Sequence, residues 1–265
     1  MAGNVSALPE YERRSLRMAE RRRLAAGFAT QIKLTTEPFL DIPFADARVL
    51  DVGCGYGHTS AELARLAHEV VGVEPNELLA EHAGELARTS TPPFAFRRAG
   101  VESLGTGSDG GAFDVVVLDN VLEHLPDQHL ALERVSHCLR PGGVVYILVP
   151  NKLWPIEAHY TLPFLSYLPL PLATRYLRLS GRGTDYRDAS YAPTARRLRR
   201  LVEDAPGLDP HFTLPGDVSL AEGGGSALYR WGVRALRRWP ALWTISKALL
   251  VVAVKQRPTN DRGNA

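Results

Sequence analysis

The chain has 265 residues, a formal charge of +2, 45% apolar residues and 23% charged ones, an ordinary globular balance in a chain long enough to bury a substantial core. A near-neutral total gives no support to a nucleic-acid partner. Two cysteines, Cys54 and Cys138, exclude a disulfide framework and a cysteine metal cluster, and suit a reducing cytoplasm.

Residues 1–45 read as a helical arm. Tyr11, Met18, Ala25 and Ile32 recur every seven residues on a helix that also carries Arg13, Arg14, Arg17, Arg21, Arg22 and Arg23. Such basic runs are either solvated faces or contacts to an anionic substrate or membrane surface. The opening MAGNVSALPEYERR lacks the apolar centre of a secretory signal, so cytoplasmic residence is expected. From Ala47 the pattern becomes strand, turn, helix, and repeats. ARVLDV is a first strand, followed by Gly53, Gly55 and Gly57 and the helical stretch TSAELARLAH. Glu69–Val73 is a second strand, and Asn76 caps a helix whose inner face carries Leu79, Ala83 and Leu86. Phe94–Arg98 and Phe113–Asp119 are further strands. VLEHLPD makes a turn stopped by Pro126, and Asp127 caps a helix with Leu130, Leu132, Val135 and Leu139 inward. Pro141-Gly142-Gly143 then turns the chain into a fifth strand, VVYILVP. Apolar strands without strict alternation, separated by helices, indicate a parallel sheet covered on both faces, a Rossmann-like α/β core over residues 46–151.

After Asn151 the alternation stops. Residues 152–192, rich in proline, tyrosine and leucine, read as a substrate cap inserted after the fifth strand. Residues 193–265 return to the fold with a basic helix (Thr194–Glu203), a strand near His211–Leu214, a helix (Ala227–Arg238) and a last strand (Leu249–Val254), which makes seven strands in all. Two apolar stretches are tested as membrane spans. Thr161–Leu177 is broken by Pro163, Pro169 and Pro171, and Pro240–Lys255 carries Lys247 and is shorter than the ~20 residues a span needs. Trp231, Trp239 and Trp243 alternate with Arg234, Arg237 and Arg238, the pattern of a helix lying at a membrane surface or of a buried helix edge. Peripheral membrane contact is therefore carried as an expectation.

The glycine loop sets the chemistry. Glycines between a strand and a helix let backbone N–H groups approach a ligand near the positive end of the helix. Dinucleotide folds space them G-x-G-x-x-G around a pyrophosphate. Here Gly53, Gly55 and Gly57 are one residue tighter, and Asp51 precedes them. A carboxylate repels a pyrophosphate and suits a cationic ligand without phosphates, which points to S-adenosylmethionine rather than NAD. Glu74, ahead of Pro75 at the end of the second strand, stands where an acid can accept both ribose hydroxyls. Cys54 is a small residue between two glycines, with nothing beside it that marks a nucleophile.

Asp51-Val52-Gly53-Cys54-Gly55-Tyr56-Gly57, Glu74, FDVVVLDNVLEHLPD and LRPGG together resemble the class I S-adenosylmethionine-dependent methyltransferases, nearest the branch that includes the ubiquinone- and menaquinone-pathway enzymes. The resemblance covers about residues 47–151. It implies a seven-stranded sheet with a reversed last strand, methionine-end contacts at Asp51 and the glycines, and ribose contacts at Glu74. One departure stands out. Many relatives place an acid in the third-strand loop to hold the adenine amino group, whereas this chain reads Ala99-Gly100-Val101-Glu102. The Val101 N–H still suits adenine, and Glu102 either substitutes for the missing acid or faces solvent.

Methyl transfer needs an acceptor held in line, water excluded and, for a hydroxyl, a proton removed. Asp119 and Asn120, just past the fourth strand, stand at the boundary between cofactor and acceptor. His124 is a candidate general base, or a structural tie at a helix end. His159 in the cap is the rival base. Trp154, Tyr160 and Phe164, with Tyr167, either line the acceptor pocket or pack the cap's own core. His58 brackets the cofactor or faces solvent. No metal is required. The expected function is O-methylation of a small-molecule acceptor (a phenol, a sugar or a polyketide-type hydroxyl, a lipid-linked one included). The competing readings are a catalytically silent or membrane-associated binding protein and a nucleic-acid methyltransferase. Asp119-Asn120-Val121-Leu122 weakens the last, because base-amino methylating enzymes carry Asp/Asn-Pro-Pro-aromatic there.

Overall fold

The computed structural model describes residues 10–220 and 226–257. Seven strands form one sheet: β1 (Arg48–Val52), β2 (Glu69–Val73), β3 (Ala95–Arg97), β4 (Phe113–Asp119), β5 (Leu139–Pro150), β6 (Leu208–Phe212) and β7 (Ala248–Lys255). Their order is β3-β2-β1-β4-β5-β7-β6. β1 to β5 pair parallel, and β7 runs antiparallel between β5 and β6. This is the expected mostly parallel α/β sheet with a reversed last strand. Order reverses at β1/β4, so a crevice opens beyond the carboxyl ends of those two strands.

Both sheet faces are dry. Leu50, Val116, Leu118, Val145 and Ile147 pack one way with α4 (Gln128–Cys138) and α6 (Ala195–Glu203). Val49, Val115, Val117, Val144 and Tyr146 pack the other way with α1 (Glu10–Thr36), α2 (His58–Leu63) and α3 (Glu77–Thr89). Adjacent valines on one strand thus serve opposite layers, which is why the strands carry no polar alternation. On α1, Ala25, Ala29 and Ile32 are buried. The side chains of Tyr11, Arg13, Arg14 and Arg17 lie outside the described residues.

The caps form as read. Asn76 accepts from the Leu79 N–H at 3.3 Å, and Asp127 from the Leu130 N–H at 2.9 Å, each replacing a donor–water contact at a helix start for about 1 kcal/mol. Four local expectations shift. The sixth strand runs Leu208–Phe212, starting three residues before the His211–Leu214 stretch that the sequence suggests. The inner face of α3 centres on Ala80, Ala83 and Ala87, with Leu86 partly buried against the same core and Leu79 half-buried. The helix α2 ends at Leu63, where two N–H groups, of Leu66 and Ala67, share the Leu63 carbonyl. The fifth strand begins at Leu139, before the Pro-Gly-Gly turn. Phe113 pairs with Leu139 and Val115 with Val144, so the residues between bulge out, and Gly142, at φ +83°, takes the left-handed bend. The cap folds around its own small cluster, Leu162, Leu165, Ala173, Leu177, Tyr186 and Ala189. It contains α5 (Leu170–Leu179). The helix α7 (Ala227–Arg238) precedes β7.

Candidate active site

Each glycine of the loop after β1 has its own reason. Gly53, Gly55 and Gly57 have φ of +69°, +58° and +79°, a region that side chains disfavour. A Cβ on Gly53 would stand 2.7 Å from Val121 Cγ2, and one on Gly57 would meet Phe94 and Ala83. Nothing lies within 4 Å of the Cβ position on Gly55. That bend is an open cradle. The N–H groups of Gly53 and Cys54 donate to the Val73 carbonyl at 2.8 and 3.0 Å, which ties the loop to β2. Cys54 lies against the sheet, and burial pushes its thiol up, away from thiolate chemistry.

Two acids frame the cradle. Asp51 is buried in β1 and accepts from Ser60 Oγ of α2 at 2.6 Å. Burial pushes its carboxyl up to about 7 against the Ser60 bond, and the charges of Asp119 and Glu74 push the same way. Glu74, also buried, accepts the Gly55 N–H at 3.0 Å and the Asn76 N–H at 2.9 Å. Pro75 beside it is exposed. The donor set is therefore a carboxylate pair in want of positive charge, next to backbone open enough for close approach. It fits a cationic nucleoside and disfavours a pyrophosphate.

At the third strand, Val101–Ser103 forms a 3-10 turn starting at Gly100. A Cβ on Gly100 would overlap the Glu102 carboxylate. Glu102 thus folds back over Gly100 while staying exposed to solvent.

Beyond β4 the sheet carries a second acidic group. Asp119 accepts from Asn120 Nδ2 at 2.7 Å, and Asn120 sits at φ +54°, a left-handed position that Asn tolerates. Burial raises the Asp119 carboxyl, while Arg21 on α1 draws it down. The 3-10 turn Leu122–His124 then places Glu123 inward, wholly buried, with neither carboxylate oxygen accepting a hydrogen bond. Its Oε1 lies 3.9 Å from His124 Nε2 and 3.8 Å from His159 Nε2. The two imidazoles meet edge to face at 5.1 Å. Burial lifts Glu123 to about 7.

His159 arrives from the cap on a tight loop closed by the Ile156–Pro163 bridge. The buried Glu157 holds it: Oε1 is 3.0 Å from His159 Nδ1, while Oε2 accepts the N–H groups of His159 and Tyr160 at 2.8 and 2.6 Å. Glu157 thus fixes the ring through Nδ1 and turns Nε2 toward Glu123 Oε1. Burial lowers the His159 imidazole, but the Glu157 bond and the charges of Glu157 and Glu123 outweigh it, and the net shift is upward. The polar side-chain atoms of Glu123, His124 and His159 all lie within 4.8 Å of one another, a cluster of one buried acid and two imidazoles.

The structure thus brings His124 and His159 together, although the sequence offers them as rivals. Other candidates go elsewhere. Trp154 is half-buried at the base of the cap. Tyr160 packs on the cap cluster and meets Tyr186 at 6.1 Å, and Phe164 is exposed and meets Tyr167 at 5.7 Å. His58 starts α2, stacked on Tyr56 at 6.2 Å, and borders a cleft of about 460 Å³ lined also by Met18, Ala19, Arg22 and Arg23 of α1. Sequence reasoning missed Ser60, Glu123, Glu157 and Arg21. The available signal was the acid immediately before His124 and the acid two residues before His159.

Residues 18–209 match the model of the methyltransferase domain family. Among curated proteins, the chain is 36% identical over 142 residues to the ubiquinone biosynthesis O-methyltransferase of Rhizobium rhizogenes, covering 54% of this chain and 53% of that one. It is 31% identical over 172 residues to the enzyme of the same name from Xanthomonas oryzae pv. oryzae, covering 63% and 68%. The chain spans about half the length of most curated relatives it matches. Among solved structures, the plantazolicin methyltransferase BpumL, in complex with a desmethylPZN analog and SAH, has the same fold at a TM-score of 0.58 and 15% identity, with 93% of this chain and 91% of that one covered. The YcgJ protein of Bacillus subtilis superposes at 0.55 and 17% identity, over 87% and 99%.

Proposed function

Since the chain belongs to the methyltransferase domain family, we infer that it binds S-adenosylmethionine at the glycine loop and passes the methyl group to an oxygen of a small-molecule acceptor. The observation that carries this reading is Asp51, buried beside an open glycine bend and held by Ser60 Oγ at 2.6 Å, with Glu74 buried next to it. The relatives' names support oxygen as the receiving atom, and a phenol, a sugar or a polyketide-type hydroxyl are the classes to test.

When bound, the cofactor supplies a methyl group already activated on a positive sulfur. The chain's own residues do the rest. Asp51 and the open bend at Gly55, where nothing crowds a close approach, hold the methionine end. Glu74 takes the ribose hydroxyls, and the Val101 N–H with the Glu102 carboxylate takes the adenine. His159, fixed by Glu157, accepts the acceptor's proton at Nε2, and the Glu123 carboxylate steadies the imidazolium that forms. His124 closes the other side of Glu123. Arg21 of α1 brings positive charge toward Asp119 and Glu123, and the cap (residues 152–192) carries His159 to the same site. A cytoplasmic setting belongs to the same proposal, as does a lipid-linked acceptor met at a membrane surface. Calorimetry with S-adenosylhomocysteine and with NAD tests the reading. Binding of the thioether alone is expected, and NAD binding without it overturns the assignment.

A further inference from the structure

The segment Ser226–Lys247 carries Arg230, Arg234, Arg237, Arg238 and Lys247 and no acid. It comprises α7 and the 3-10 turn Pro240–Ile245. Val233 and Ala235 are buried and bind the helix to the protein. Facing away are Leu228 (77% exposed), Trp231 (64%), Trp239 (56%) and Ile245 (55%), and all five cations are exposed with them. Arg234 and Arg238 follow Trp231 by three and seven residues, so guanidinium groups and indole share one side of the helix. Trp243 differs: it is half-buried and meets Phe212 at 5.9 Å, so the sequence alternation of three tryptophans resolves into two outward and one inward.

We propose that the outer face of α7 and the turn after it docks on an anionic lipid bilayer. The exposed arginines match lipid phosphates, and indoles flanked by aliphatic side chains suit the headgroup boundary. Leu228 and Ile245 add nothing to a nucleic-acid backbone contact, and this favours lipid over RNA. Among the described residues no helix is long and apolar enough to cross a membrane, so the contact is peripheral. Asn151 Nδ2 donates to the carbonyls of Trp243, Thr244 and Ser246 at 3.3, 3.1 and 2.9 Å, and Pro150 at the end of β5 pairs with Ala248. The docking face therefore borders the rim of the sheet on which the acids and histidines stand. The proposal does not depend on methyl transfer.

Flotation of the full chain with vesicles of phosphatidylcholine, alone or mixed with phosphatidylglycerol, is the test. The protein should float with the anionic vesicles only, and less so at high salt. Reversing Arg234, Arg237 and Arg238 to Glu together should lower partitioning on the order of a hundredfold, and Leu228→Ala with Trp231→Ala about tenfold. Unchanged melting temperatures establish that these exposed substitutions leave the fold intact. On the unaltered chain, brominated phosphatidylglycerol should quench tryptophan fluorescence, and Trp231→Phe should reduce that quenching. Absence of flotation at every anionic fraction overturns the proposal, as does flotation untouched by both sets of substitutions. So does salt-sensitive binding of mixed RNA that the arginine reversal abolishes while vesicles stay unbound.

Discussion

Asp51 is the residue on which the cofactor reading turns, and its replacement separates charge from shape. Asp51→Asn keeps an oxygen for Ser60 Oγ, which now stands 2.6 Å from the carboxylate, and removes the negative charge. Losing a charged hydrogen bond to the ligand should weaken S-adenosylhomocysteine binding about tenfold to a hundredfold by calorimetry; unchanged affinity would remove Asp51 from the site. The glycines give a matched pair. Gly53→Ala meets Val121 at 2.7 Å on top of a left-handed φ, so it should cost about 1–3 kcal/mol of unfolding free energy in urea. Gly55→Ala carries the backbone strain without a clash, so it should cost about 1 kcal/mol while lowering cofactor affinity more than Gly53→Ala does per unit of stability lost. Asp51, Glu74 and the glycines were legible in the sequence because strand, bend and acid are contiguous or one strand apart. Glu123 was not. Its meaning comes from an imidazole 36 residues later in the chain, which only the folded cap delivers.

At the scale of elements, the loop between Ile156 and Pro163 brings His159 to the sheet, and Glu157 is what shapes it. One carboxylate oxygen takes two backbone N–H groups and the other takes Nδ1. Glu157→Gln keeps an oxygen for the backbone and loses the charge that holds the imidazole. Turnover, read as S-adenosylhomocysteine formed with a panel of phenols, should fall about tenfold or more, with cofactor affinity unchanged. His159→Ala should fall at least as far. A Glu157→Gln protein with full turnover would show that His159 needs no orienting carboxylate. The strands β2 and β4 and the helix α7 match their sequence spans. The start of β5 was hidden because a glycine bulge after Leu139 looks like a turn. In the fold the Asp114 carboxylate accepts from Arg48 N at 2.7 Å and from Arg140 Nε, which ties the bulge to β1. The cap was opaque for a different reason. Its core joins Leu162, Leu165, Tyr186 and Ala189 from turns and loops to only Ala173 and Leu177 from a regular helix, α5, so little of it has a period for a sequence to display.

For the whole molecule, the unbalanced acids predict how stability depends on pH. The carboxyls of Asp51 and Glu123 are raised to about 7, and that of Asp119 is raised as well, each chiefly by burial. In the unfolded chain such groups titrate near 4. Between those values the folded state binds more protons than the unfolded state, so unfolding free energy must fall as pH rises. His159, raised above its ordinary value, acts in the same direction above about 6.5. His58, lowered by burial and by Arg22 and His82, opposes it, one group against four. Glu37 and Asp41, lowered chiefly by their bonds to Lys33 and Arg140, lose their contribution only below about 4, outside the window. Urea unfolding of the ligand-free chain should therefore give a lower free energy at pH 8 than at pH 5.5. The slope should flatten in Asp51→Asn and flatten further with Glu123→Gln added. A ligand with a cationic amino group beside Asp51 favours the ionised carboxylate. Saturating S-adenosylhomocysteine should accordingly stabilise the chain more at pH 8 than at pH 5.5, and this difference should vanish in Asp51→Asn. Stability that rises from pH 5.5 to 8 in the ligand-free chain would mean that these carboxylates already have their countercharge, and the site would then have no electrostatic reason to take up a cation.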